Sequence, residues 1–198
     1  MNLILASIEA EYRRYKALAE AAMAQLTEAE LNEPGLNGGN PITVITRHIA
    51  GNLRSRFTDF LDSDGEKEWR NREQEFSRKK RTRQELTEHW EAGWKTLFDC
   101  LSELTDEHLH SKVVIRGTEL TVSEALHRSL AHTSYHVGQV VYLAKSIRGT
   151  EWRYLSIPPG ESERYNQAPS SERAASHTAA LKELNSPGEK PNPRERKE

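Results

Sequence analysis

The chain has 198 residues, with Lys+Arg 28 against Asp+Glu 30 and a net charge of −2, so it lacks the basic excess of a nucleic-acid binder. Its single cysteine, Cys100, excludes an intramolecular disulfide, and no apolar run is long enough to span a bilayer. Hydrophobic residues make up 35% of the chain and the polar excess is concentrated after residue 160; the earlier part has ordinary globular composition, and a cytoplasmic protein is expected.

Apolar residues at Ile4, Ile8, Tyr12, Tyr15, Leu18, Ala19, Ala22 and Leu26 recur at spacings of three and four. That pattern predicts a first amphipathic helix over 2–26. Gly and Pro between Glu33 and Pro41 mark a loop. A second helix is expected over 41–61, with Asn40 as N-cap and Pro41 in the first helical position. Its inward stripe reads Ile45, Ile49, Asn52, Leu53, Arg56 and Phe60, with His48 at its edge or centre. Residues 66–78 read as a long polar loop with Trp69 as its aromatic anchor.

Thr82-Arg83-Gln84-Glu85 has the spacing of a capping box, in which the Thr hydroxyl and the Glu carboxylate satisfy free backbone N–H groups. It opens a third helix with the stripe Leu86, Trp90, Trp94 (or Gly93), Leu97, Leu101 and Leu104. The β-branched run at 112–120, interrupted by Arg116-Gly117, predicts a short extended piece or small hairpin. A second capping box, Thr121-Val122-Ser123-Glu124, opens a fourth helix through about Ile147. Trp152, Tyr154, Leu155 and Ile157 are expected to pack back on the bundle. From residue 167 the chain is rich in Ser, Glu, Lys, Arg and Pro, and a disordered tail over 167–198 is expected, with a transient helix near Ala174–Leu184. The expected architecture is all-α: a four-helix bundle domain over 1–166 with a hairpin insert before its last helix, followed by the tail.

His132 and His136 stand four apart on the fourth helix, so both imidazoles face one side and can reach one metal ion. The glutamate of a HExxH metalloprotease motif is absent. His48 alone reads as a core histidine with a local hydrogen bond. Taken with the pair, it reads as a third ligand, because a bundle brings inward side chains of different helices together. Three neutral histidines leave a coordination position open to water or substrate, an arrangement of catalytic or sensing sites more than structural ones. Imidazole suits Zn, Ni, Fe or Cu alike; Zn is the first expectation.

Around these ligands stand residues with two readings each. Asn52, one turn after His48, and Gln139, three residues after His136, either orient a ligand or substrate or satisfy a core contact. Arg56 either binds a carboxylate or the anionic end of a thiol cofactor, or forms a salt bridge. Trp69, with Arg70 and Arg72, either forms a lid or pins its loop. Cys100 reads as a small buried hydrophobe. His89, His108, His110, His127 and His177 read as surface or structural residues.

The runs Ile45-Thr46-Arg47-His48-Ile49-Ala50-Gly51-Asn52-Leu53 and Leu130-Ala131-His132-Thr133-Ser134-Tyr135-His136-Val137-Gly138-Gln139 resemble the DinB superfamily. Together with 62–72 and 156–163, they are most similar to a branch of uncharacterised bacterial DinB-like proteins of the DUF1572 type. The resemblance covers about residues 1–166. It implies an up-down-down-up four-helix bundle, a three-histidine site for a divalent ion (Zn foremost, with Ni, Fe or Mn as alternatives) made by His48, His132 and His136, and a homodimer. Relatives in that superfamily include bacillithiol- or glutathione-using S-transferases and a mycothiol-dependent isomerase. The implied function is a metal-dependent transfer of a low-molecular-weight thiol to an electrophile, with a small-molecule substrate and neither nucleic acid nor membrane as partner. The alternatives are metal-assisted hydrolysis, for which no Asp or Glu adjoins the ligands on their own helices, and a non-enzymatic metal- or small-molecule-binding stress-response protein.

Overall fold

The computed structural model describes residues 3–185. In chain order they form α1 (Leu3–Met23), α2 (Glu28–Leu31), α3 (Ile42–Phe57), α4 (Arg72–Glu75), α5 (Arg83–Glu103), β1 (Lys112–Ile115), β2 (Thr118–Thr121), α6 (Val122–Arg148), α7 (Ser162–Gln167) and α8 (Ala174–Asn185), with short 3₁₀ turns between them. The fold is mostly helical with one two-stranded antiparallel sheet.

Four long helices, α1, α3, α5 and α6, carry the apolar stripes read from the sequence, except that at the start of α1 Ile4 is 53% exposed and Leu5 is buried in its place. α3 packs on α5 and on α6, and α1 packs on α6 and more lightly on α5. Their inward residues form one core that includes Tyr12, Ile49, Leu53, Trp90, Trp94, Leu97, Leu126 and Val140. At the α3–α5 crossing the chains approach so closely that a Cβ on Gly93 would lie 2.6 Å from the Cα of Ala50. Glycine at 93 therefore sets how near α5 comes to the helix that carries His48.

Both expected capping boxes are present. Thr82 accepts from the Glu85 N–H while Glu85 accepts from the Thr82 N–H, and Thr121 and Glu124 make the same pair of bonds. The start and end of α3 differ from expectation. Its N-cap is Pro41, extended at ψ 160 and without a side-chain cap, so Asn40 lies outside the helix. It ends at Phe57, because Thr58 is already extended and Asp59 turns left-handed at φ 45; Phe60 is still buried beyond the helix end.

The insert before α6 is a two-residue hairpin in which Ile115 pairs with Thr118. Arg116 (φ 53) and Gly117 (φ 72) both take the left-handed conformation that such a turn demands. Asp64 steadies the turn by accepting both of its N–H groups, from Arg116 at 2.8 Å and Gly117 at 2.7 Å. Gly65 N–H donates to Val114 at 2.8 Å. The loop after α3 is thus tied to the hairpin.

The expected disordered tail from residue 167 needs correction. Residues 174–185 form α8, which lies against α1 with Leu181 1% exposed. His177 Nε2–H donates to the Leu155 carbonyl at 2.7 Å, joining α8 to the segment that holds buried Trp152 and Leu155. Few apolar residues suffice here because α1 offers a surface for them. The remainder of that expectation, 186–198, lies outside the described residues. No helix among the described residues is long and apolar enough to cross a membrane.

Candidate metal centre

The mid-helix faces of α3 and α6 bring three imidazoles together. His48, His132 and His136 have ring centroids 4.6 to 5.2 Å apart, and their candidate ligand nitrogens all lie within 4.8 Å of one another. His48 Nε2 and His132 Nε2 are 3.2 Å apart. Tetrahedral coordination with Zn–N near ~2.0–2.1 Å spaces nitrogens by about 3.3 Å, so these two nitrogens already stand at the separation one ion requires. Among the described residues no other group of three or more His, Cys, Asp or Glu side chains comes together closely enough to hold a metal ion.

The back of each of two rings is fixed. His136 Nδ1–H donates to Gln139 Oε1 at 2.7 Å, and Gln139 in turn donates to the Tyr135 hydroxyl at 3.2 Å. His48 Nδ1–H donates to Glu75 Oε2 at 2.9 Å. Both bonds select the tautomer that leaves a lone pair on Nε2, which on His48 faces His132 Nε2, the device by which metal-binding proteins orient imidazole ligands. Phe76 lies against the His48 ring at 4.9 Å between centroids.

Glu75 is a residue that sequence reading missed. It ends the four-residue α4, whose N-cap Asn71 accepts from Gln74 N–H, and Arg47 on α3 holds α4 through the Gln74 carbonyl. The carboxylate is buried, and Arg70 grips it with two bonds, Nε at 2.8 Å and Nη2 at 3.0 Å. Burial alone would raise its pKa; the hydrogen bonds from His48 and Arg70 and the Arg70 charge outweigh that and lower it. It reaches His48 because Gly51, on the same helix, has no Cβ: one placed there would collide with the Glu75 carboxylate. The nearest sequence signal was that glycine, one turn after His48 in a helix interior.

Burial favours the neutral form of the two ligands on α6. Burial, then the neighbouring His136, His48 and two arginines, push the His132 pKa down to about 4. Burial also lowers that of His136, against the Gln139 hydrogen bond. A neutral imidazole keeps its lone pair for metal at neutral pH.

His48 and His132 open onto a cleft of about 290 Å³. Asn52, Phe57, Phe60 and five arginines, 56, 70, 72, 116 and 128, share its walls. Asn52 stands where one helical turn places it. Arg56 is buried and committed: it donates to the Gly65 carbonyl and to Glu66 Oε2 at 3.0 Å, which favours the salt-bridge reading. Trp69 is 52% exposed, under the Arg54 guanidinium, and lines a separate hollow on the far side of Arg70. It forms no wall of the cleft at the histidines; Arg70 and Arg72 do. Cys100 is half-buried on α5, outside the cleft, with its thiol pushed up to about 12 by burial. His108 and His127 engage local backbone, and His177 the more distant Leu155 carbonyl.

The family model described as "Protein of unknown function (DUF1572)" matches residues 2–161. The chain belongs to that family. The match takes in α1 to the end of α6, all three histidines, Glu75 and the arginine cleft, and stops short of α8. The function of the DUF1572 family is not described by its model, so the geometry of the site carries the functional argument. No curated protein and no solved structure matches the chain.

Proposed function

We propose that this DUF1572 protein is a DinB-like four-helix bundle that binds a divalent metal ion, Zn foremost, through His48, His132 and His136, and transfers a low-molecular-weight thiol to an electrophile. The observation that carries the reading is a three-histidine cluster of which two members, His48 and His132, open onto a solvent-reaching cleft. A purely structural site has its coordination closed by protein side chains, whereas three histidines leave a position free. A divalent ion held there supplies Lewis acidity and lowers the pKa of a thiol that binds it. The chain's own part is to keep two rings aimed through Glu75 and Gln139, and to disfavour protonation of His132 and His136 by burial.

Hydrolysis is the weaker reading on a specific ground. It needs a general base beside the open position. The carboxylate nearest the ligands, Glu75, is locked between His48 and Arg70, and no Asp or Glu lines the cleft. A thiol needs no such base once its pKa is lowered. The homodimer implied by the resemblance belongs to the same proposal and is tested by sedimentation of the full chain.

Elemental analysis of untagged protein tests the metal, and a conjugation assay of zinc-loaded protein with thiols and a panel of electrophiles tests the chemistry. The expected result is about one divalent ion per chain, lost in His132→Ala, together with metal-dependent conjugation. Metal content unchanged by His132→Ala sinks the site; a loaded protein that binds no thiol and conjugates nothing sinks the transferase.

A further inference from the structure

The cleft beside the histidines has a charge imbalance that metal binding does not explain. Five guanidiniums line it, and no carboxylate does. The acids that ion-pair with them from behind the wall are Glu66, shared by Arg56, Arg70 and Arg116, and Glu75, held by Arg70. Asp64 lies near, but its carboxylate is occupied by the backbone N–H groups of Glu66, Arg116 and Gly117. Arg72 has one acidic neighbour, the exposed Glu73, at 3.7 Å.

Two guanidiniums have donors to spare. Arg70 has only 2% of its side chain exposed, yet its Nη1 is buried without a hydrogen-bond partner; the nearest acid oxygen, on Glu66, is 3.6 Å away. A buried charged donor left unsatisfied is costly, and a ligand oxygen would satisfy it. Arg128 makes no hydrogen bond or ion pair among the described residues. It stands one turn before His132 on α6, so Arg128, His132 and His136 follow one another down a single face. The unpaired charge of Arg128 and two of the candidate metal ligands, His48 and His132, line the same cleft.

We propose that this cleft binds the oxyanion end, carboxylate or phosphate, of a small molecule, with Arg70, Arg72, Arg116 and Arg128 as its anion-binding wall. The proposal deepens the transferase reading and rests on it for the other end of the molecule, which meets the histidine cluster. A volume of about 290 Å³ restricts the ligand to metabolite size. Planar guanidiniums match carboxylate and phosphate oxygens in pairs, which a uniform positive surface would not do. The substrate class is thus a small acid that carries a metal-seeking group, such as a thiol, at a short distance from its oxyanion.

Calorimetric titration of the full chain, stripped of metal and then zinc-loaded, tests this with four probes: succinate, inorganic phosphate, mercaptosuccinate and the uncharged 2-mercaptoethanol. Stripped protein is expected to bind succinate or phosphate, and not 2-mercaptoethanol. Arg128→Gln and Arg72→Gln, both at exposed positions, are expected to weaken anion binding at least about tenfold, the worth of one charge-assisted bond. Arg54→Gln, which removes a charge outside the cleft, is expected to leave it unchanged. Binding of phosphate alone or succinate alone supports the site and assigns its head group. Failure of every anion to bind either form, or equal weakening by Arg54→Gln and Arg128→Gln, overturns the site. Zinc that fails to tighten mercaptosuccinate relative to succinate overturns the thiol reading and leaves the anion site standing.

Discussion

At the scale of single residues, the His48–Glu75–Arg70 chain is the most informative feature. Its outer members decide how firmly the first is aimed. Glu75→Gln is expected to weaken zinc binding about 10–100-fold, measured by competition with a chromophoric chelator. Gly51→Ala offers a second version, because the new methyl displaces the Glu75 carboxylate. Zinc affinity should fall, and the denaturant midpoint with it because Arg70 loses its buried partner; unchanged affinity would show that Glu75 does not matter to the ligand. Protonation gives a further test, and its sign is fixed. An unfolded-chain histidine titrates near ~6.5, whereas His132 titrates at about 4. Between those values the unfolded chain takes up a proton that the fold rejects. Metal-free protein is therefore expected to lose stability as pH falls from about 6.5 to about 4, and His132→Gln to flatten that slope in denaturant melts. The histidines were legible because a four-residue spacing on an apolar helix fixes where they point. Glu75 was not, because a polar loop has no periodicity to say which of its many acids turns inward.

At the scale of elements, helix positions followed from local chemistry where that chemistry is self-contained. The two capping boxes and the Arg116-Gly117 turn specify themselves within four residues, and each lies where the sequence placed it. α8 depends instead on a docking surface some 150 residues away in the chain, which no local pattern of Ser, Glu and Lys reveals. Leu181→Ala is expected to cost about 2–5 kcal/mol in equilibrium unfolding, a loss that a solvated tail would not register. The α3–α5 crossing makes a second element-scale prediction. Gly93→Ala pushes a methyl into the Ala50 backbone and should destabilise the protein by about 1–3 kcal/mol, read from urea melts. Because α3 carries His48, the same variant should also loosen zinc.

At the scale of the whole molecule, a net charge of −2 conceals a local excess of guanidinium, so bulk composition did not disclose the arginine-lined cleft. The sequence could not assign that cleft because its arginines come from α3, the loop after it, α4, the hairpin turn and α6, five segments related only by folding. The histidine cluster joins distant parts of the chain as well: His48 and His132 are 84 residues apart. An ion gripping both closes a loop of that length, and cross-links over such spans lower unfolded-chain entropy by an amount worth about 4–5 kcal/mol for a covalent bond. Such a clasp opens only when its ion departs. The lifetime of the folded chain against proteases would then be timed by ion release, and its abundance would rise and fall with the free metal of its surroundings.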